Sequence, residues 1–174
     1  GEIINADSMQ IYKEISILTS KPSLYDTQIT KHHLYGFNSV KTKFSTGHWM
    51  KKVVKKIITR WKRKKIPIVV GGTGLYFKAL TDGLVKIPDI PNNKRAEIRK
   101  LHARLGQKKF YIQLIHLDPL SKKYISSSDT QRSIRAYEVK KFTNKSLFKF
   151  IRETKTNFDP DVFKKIFVNT PKEI

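Results

Sequence analysis

Four clusters in this 174-residue chain carry side chains suited to chemistry. Asp7 and Ser8 close a short apolar run, Glu2-Ile3-Ile4-Asn5-Ala6. A carboxylate held at the end of such a run can take a proton from an amine or hydroxyl nucleophile; the same residue also serves as a turn or helix cap. Gly71-Gly72-Thr73-Gly74 offers backbone N–H groups that an anionic oxygen can approach, a hydroxyl, and the start of a helix. No Lys follows these glycines as it does in the phosphate loops of nucleotide-binding proteins, so a purely structural tight turn explains the spacing equally well. Gln131, Arg132 and Arg135 form a third cluster. Its two arginines, three apart, share a helix face that suits either phosphate or solvent. His32 and His33 are neighbours whose side chains point different ways, and no third ligand stands at a suitable distance, so no metal site is expected.

The elements that must position these groups follow from hydrophobic periodicity. Residues Gly1 to Ala6 read as a buried strand that presents Asp7 and Ser8 at its C-terminal end. Ser45-Thr46-Gly47-His48 opens a segment in which Trp49, Met50, Val53, Val54, Ile57, Ile58 and Trp61 recur at helical spacing. Lys51, Lys52, Lys55, Lys56, Lys62, Arg63 and Lys64 fill the other positions, which gives a basic outer face, solvated or turned to RNA. Ile66-Pro67-Ile68-Val69-Val70 is a second apolar run, followed by the glycine turn and a helix from about Leu75. Strand, helix, strand, glycine turn, helix predicts a right-handed parallel crossover with ligands at the strand C-termini. Both polar turns, Asp7-Ser8 and Gly71-Thr73, are then expected to face one crevice.

Lys86-Ile87-Pro88-Asp89-Ile90-Pro91-Asn92-Asn93 marks a boundary. Beyond it, helical spacing runs over Arg95 to Leu105, Lys108 to Leu117 and Asp129 to Phe142, with Asp129 placed to cap the third helix. Val162 to Val168 alternates loosely and reads as a strand returning to the sheet. The expected organisation is an α/β core over residues 1–87, a helical insertion over 88–152 and a return strand within 153–174.

Composition agrees with a folded, polyanion-binding protein. The net charge is +22, from 36 basic and 14 acidic side chains, and such a field attracts phosphate backbones by releasing their counterions. A Lys-heavy codon bias is the plainer account of the same number. There is no cysteine, hence no disulfide framework and no thiolate metal site, which fits a reducing cytoplasm. The N-terminal residues lack a cationic stretch followed by an apolar core, and no apolar run approaches the roughly 20 residues of a membrane span. Gly1 in place of an initiating Met points to a segment upstream.

Taken together, these segments resemble the tRNA dimethylallyltransferase (isopentenyltransferase) family along nearly the whole chain. The blocks that carry the resemblance are Asn5-Ala6-Asp7-Ser8-Met9-Gln10-Ile11-Tyr12-Lys13, Thr19-Ser20-Lys21-Pro22, His32-His33-Leu34, Ile66 to Phe77, and Asp129 to Val139 with its Gln131-Arg132-Ser133-Ile134-Arg135. The resemblance implies a P-loop-type, nucleotide-binding α/β core with a parallel sheet, a helical insertion, and transfer of a dimethylallyl group from dimethylallyl diphosphate to the N6 amine of the adenosine 3′ to the tRNA anticodon, with Mg²⁺ assisting. It places Asp7 as general base and Thr73 as a hydroxyl between the two substrates. It places tRNA contacts at Asp7, Ser8, Met9, Gln10, Thr73, Arg95, Gln131, Arg132, Ser133, Ile134 and Arg135.

Departures from the family pattern are informative too. The family's Walker-type loop has no counterpart in the chain, nor have its later helices. The expectation is therefore a fragment that is inactive alone, with a separate N-terminal fragment as one way to complete it; a non-enzymatic basic RNA-binding remnant is the alternative. Leu18 stands where the family has Gly, Gly36 and Ser39 where it usually has Asp, and Ser133 and Tyr137 where it has apolar residues.

Overall fold

The computed structural model describes residues 1–169, which divide into two compact units. The first comprises Gly1–Leu84 together with the described residues from Lys155; the second is Val85–Thr154. The first boundary, between Leu84 and Val85, falls within three residues of the composition break at Lys86.

The first unit is built on a three-stranded parallel sheet. Strand β1 (Glu2–Asn5) lies in the middle, between β2 (His32–His33) and β3 (Pro67–Val70). Ile3 pairs with His32 on one side and with Ile68 on the other. The parallel pairing of β1 and β3 is the one the crossover pattern predicts. Between them run α1 (Leu24–Ile29) and α2 (Thr46–Lys62), and β3 leads into α3 (Gly74–Asp82). Ser45 caps α2 by accepting from the His48 N–H. The helical stripe then buries Trp49, Met50, Val53 and Ile57 with Ile4, Ala6, Tyr76, Ala79 and Leu80.

Alternation along β3 sends Val69 into that core and leaves Ile68 and Val70 46% and 47% exposed. The apolar run predicts a strand covered on both faces. In this structure one face, carrying Ile3, Ile68 and Val70, lies over an open cleft of about 510 Å³ or faces solvent. β3 is also an edge of the sheet.

A buried polar triad sits under the sheet. Glu2 Oε2 accepts from Arg60 Nη1 at 2.6 Å and lies 2.7 Å from His33 Nε2, tying β1, β2 and α2 together. The Glu2 carboxyl is held down at about 2, first by the His33 hydrogen bond and then by Arg60. Burial pushes His33 below its usual value, assisted by the charges of Lys56 and Arg60.

The return strand expected at Val162–Val168 is not formed. A 3₁₀ turn at Pro160–Val162 is followed by irregular chain; Phe158 and Phe163 pack onto the core, while Ile166, Phe167 and Val168 are 79–89% exposed. The loosely alternating segment does not pair with the edge of β3, and no ladder forms. The remainder of that segment, residues 170–174, lies outside the described residues.

The second unit is helical: α4 (Asn92–Leu117), α5 (Ser121–Tyr124), α6 (Thr130–Thr143) and α7 (Leu147–Arg152). The range of α4 holds the two predicted helices, which meet in a kink at Gly106, where the backbone takes φ 71°, ψ 163°. That corner of backbone space is essentially open to glycine alone. Asp129 caps α6, as predicted, by accepting from the Arg132 N–H. The core holds Phe110, Leu114, Ile125, Ala136 and Val139, with Tyr111, Tyr137, Leu147 and Phe148 packed around Leu114, Ile125 and Ala136. Buried Asp118 accepts from Ser121 Oγ and Ser146 Oγ, which fastens the start of α7 to the end of α4.

Candidate active site

The two polar turns meet at the C-terminal ends of β1 and β3. The Ser8 N–H donates to Thr73 Oγ1 at 2.8 Å, the Thr73 hydroxyl donates to Ser8 Oγ at 3.2 Å, and the Thr73 N–H donates to the Ala6 carbonyl. Gly71 permits this closeness, because a Cβ there would lie 2.3 Å from the Ala6 carbonyl carbon. Thr73 begins α3 without capping it; its hydroxyl is spent on Ser8.

Asp7 is held on every side. Asn5, fully buried, accepts the Asp7 N–H through Oδ1 at 2.8 Å and donates through Nδ2 to the Asp7 carbonyl at 2.9 Å and to that of Leu34 at 3.0 Å. The indole N–H of Trp49, stacked on Tyr76 at 4.2 Å, donates to the Asn5 carbonyl. The Asp7 carboxylate accepts from the Met9 N–H at 2.7 Å, so its orientation is fixed relative to the cleft it lines. Gln10, Lys21, Asp26, His32 and Tyr35 share that cleft, and Asp7 together with burial raises the Tyr35 phenol above its usual value. Asn5 and Trp49 are parts of the site that sequence reasoning missed. An Asn two residues before an Asp at a strand end is the pattern that signals such a brace.

The other candidate residues fall as follows. Met9 is 53% exposed, and Gln10 donates its amide to the Thr19 and Ser20 carbonyls, closing the loop between them. Arg95, Gln131, Arg132, Ser133, Ile134 and Arg135 belong to the second unit. Arg95 approaches the fully exposed Asp89 at 3.6 Å and leaves its buried Nε without a partner. On α6, Gln131 and Arg132 are exposed, with Arg132 steered by Asp129 at 2.7 Å; Arg135 pairs with Glu138 at 3.3 Å. Ser133 is fully buried and so presents nothing to solvent. The paired histidines form the short strand β2, and His33 serves the Glu2–Arg60 triad. Among the described residues no three His, Asp or Glu side chains converge to hold a metal.

A parallel sheet whose strand C-termini carry a braced carboxylate and a glycine-flanked hydroxyl defines an α/β protein of the P-loop-like class. Residues 10–174 match the IPP transferase family, and the chain belongs to it. It is 51% identical over 173 residues to the tRNA dimethylallyltransferase of Pelagibacter ubique and 47% identical over 175 residues to that of Rickettsia massiliae. Each alignment covers 99% of this chain, but 55% and 48% of the relative; the chain spans about half the length of the curated relatives it matches. Among solved structures, a eukaryotic dimethylallyltransferase acting on tRNA superposes with a TM-score of 0.77 at 28% identity, covering 92% of this chain and 40% of the other. The full-length tRNA isopentenylpyrophosphate transferase of Bacillus halodurans gives 0.50 at 30% identity, over 84% and 48%.

Proposed function

We propose that the protein to which this chain belongs transfers a dimethylallyl group from dimethylallyl diphosphate to the N6 amine of the adenosine 3′ to the anticodon of tRNA, and that this chain supplies the half of the site that activates the amine. The supporting observation is the braced Asp7 carboxylate beside the Ser8–Thr73 pair at the strand ends. On this reading N6 attacks the allylic carbon, the C–O bond to diphosphate breaks, and Asp7 takes the amine proton; Thr73 lies between the two substrates. Mg²⁺ stabilises charge on the departing diphosphate in such chemistry. Among the described residues no three His, Asp or Glu side chains converge on one point, and the diphosphate oxygens are the ion's expected ligands. Among the described residues no helix is long and apolar enough to cross a membrane.

The open face of Ile3, Ile68 and Val70 and the unpaired edge of β3 suit the family's N-terminal strand and phosphate loop, supplied upstream or by a separate fragment. The chain alone is then inactive. Its net charge of +22 supports RNA binding without catalysis as the second reading.

The test is a transfer assay with labelled dimethylallyl diphosphate, Mg²⁺ and unmodified tRNA, on this chain alone and on the chain joined to a relative's N-terminal loop segment. The joined protein is expected to label tRNA, with Asp7→Ala costing about 10²–10⁴-fold in kcat. Undiminished labelling by Asp7→Ala rejects the base assignment. Labelling by the chain alone rejects the need for the missing loop.

A further inference from the structure

Ser133 is a fully buried polar residue, and the structure gives it a partner. Gln107, the first residue after the break at Gly106, donates through Nε2 to the Ser127 carbonyl at 2.7 Å and to Ser133 Oγ at 3.2 Å. Its Oε1 accepts from His102 Nε2 at 3.0 Å. The amide has one orientation available, because the Ser127 carbonyl only accepts. His102 is in turn seated edge-on against buried Phe110, with ring centroids 5.0 Å apart.

These bonds converge on the start of α6. Ser127 belongs to the Ser126–Ser128 turn that feeds Asp129, whose N–H donates back to the Ser126 carbonyl. Ser133 directly follows the exposed pair Gln131 and Arg132. Successive helical residues turn by about 100°, so anchoring Ser133 inward sets the rotation at which Gln131, Arg132 and Arg135 face outward. Asp129 then lays the Arg132 guanidinium across the helix start. We infer that Gln107 is a positioning residue for RNA recognition: through Ser127 and Ser133 it fixes the register and rotation of the Gln131–Arg135 face, and His102 fixes Gln107. This rests on the proposal that α6 contacts tRNA. It goes beyond it by assigning the specificity of placement to a side chain that touches no RNA.

The experiment measures binding of an anticodon stem-loop RNA by fluorescence anisotropy across a salt series, for the chain and for Gln107→Met, Ser133→Ala, Arg132→Ala and the double variants, with folding followed by circular dichroism. Methionine keeps the length of Gln107 and removes both donors. Arg132→Ala is expected to weaken binding and to lower the slope of log K against log salt by about 0.7–0.9, one phosphate contact. Gln107→Met and Ser133→Ala are each expected to weaken binding by about 3- to 10-fold in folded protein and to reduce the same slope. Each should weaken it by less once Arg132 is Ala, since residues that act through a shared contact do not add. Full additivity with Arg132→Ala, or unchanged affinity with only a lowered melting temperature, overturns the positioning role. If Arg132→Ala and Arg135→Ala leave affinity and slope unchanged, the RNA reading of α6 itself fails, which is a distinct result.

Discussion

The Asp7 carboxylate owes its placement to a buried neighbour, Asn5. Asn5, itself fully buried, satisfies Asp7 at both backbone atoms and Leu34 at its carbonyl. Asn5→Leu keeps the volume and leaves three polar groups unpaired, each costing about 1–3 kcal/mol. Urea unfolding followed by Trp49 fluorescence is expected to show a loss of several kcal/mol; a loss below about 1 kcal/mol would mean that water replaces the amide. Acid sensitivity belongs to the same scale. Glu2, held near 2 against an ordinary 4.5, stabilises the fold above 4.5, and that contribution is lost as pH falls toward 2. His33, buried and lowered from 6.5, binds its proton more readily in the unfolded chain, so its contribution is lost as pH falls below 6.5. Both terms have one sign, and stability is expected to fall steadily from neutral to acid. Glu2→Gln should flatten the lower part of that curve and leave the upper part standing, as a urea midpoint measured across the pH range will show.

Among the elements, those with strong periodicity were legible and those made by partners were not. The stripe from Trp49 to Trp61 and the Asp129 cap announce α2 and α6, and the two apolar runs ending in polar turns announce β1 and β3 with the crevice between them. Two-residue β2 carries no periodicity; it exists because Ile3 and Ile4 pair with it and Glu2 holds His33. The segment Val162–Val168 shows the converse, a pattern without a neighbour. The meeting of the Asp7-Ser8 and Gly71-Thr73 turns was legible because each closes an apolar run of parallel strand; the roles given to Asp7 and Thr73 come from the family resemblance. Gln107 was not legible, since its bonds to Ser127 and Ser133 are long-range with no signature in local sequence; Asn5 was passed over although its bonds to Asp7 span only two residues. The break in α4 is the element most open to test. Gly106 has open space where a Cβ would go, so steric crowding is absent and only its backbone conformation resists substitution. Gly106→Ala should therefore cost about 1–3 kcal/mol by strain alone, confined to the second unit. Hydrogen exchange should quicken in α4 and α6 and stay unchanged in β1–β3; a neutral outcome would show that the helix straightens through the break.

At the scale of the whole molecule the two units differ in what they leave uncovered. The second closes its own core. The first exposes Ile68 and Val70 on one face of an edge strand, and a parallel sheet is ordinarily covered on both faces. A free edge and an apolar face together form a template that another chain can extend. If the N-terminal strand of the family's fold takes that place, supplying it as a separate segment should bury both side chains and pair the outer edge of β3. Each fully buried aliphatic side chain contributes about 1.5–3 kcal/mol, and these two are already half covered, so the gain from them is about 1.5–3 kcal/mol in total. Thermal unfolding of the first unit should then rise with segment concentration, as binding to the native state alone requires. Amide exchange should slow in β3 while α4–α7 stay as they were. Protection that appears equally in both units would indicate non-specific association with a highly charged surface, and an unchanged β3 would show that this edge is closed by something other than the family's first strand.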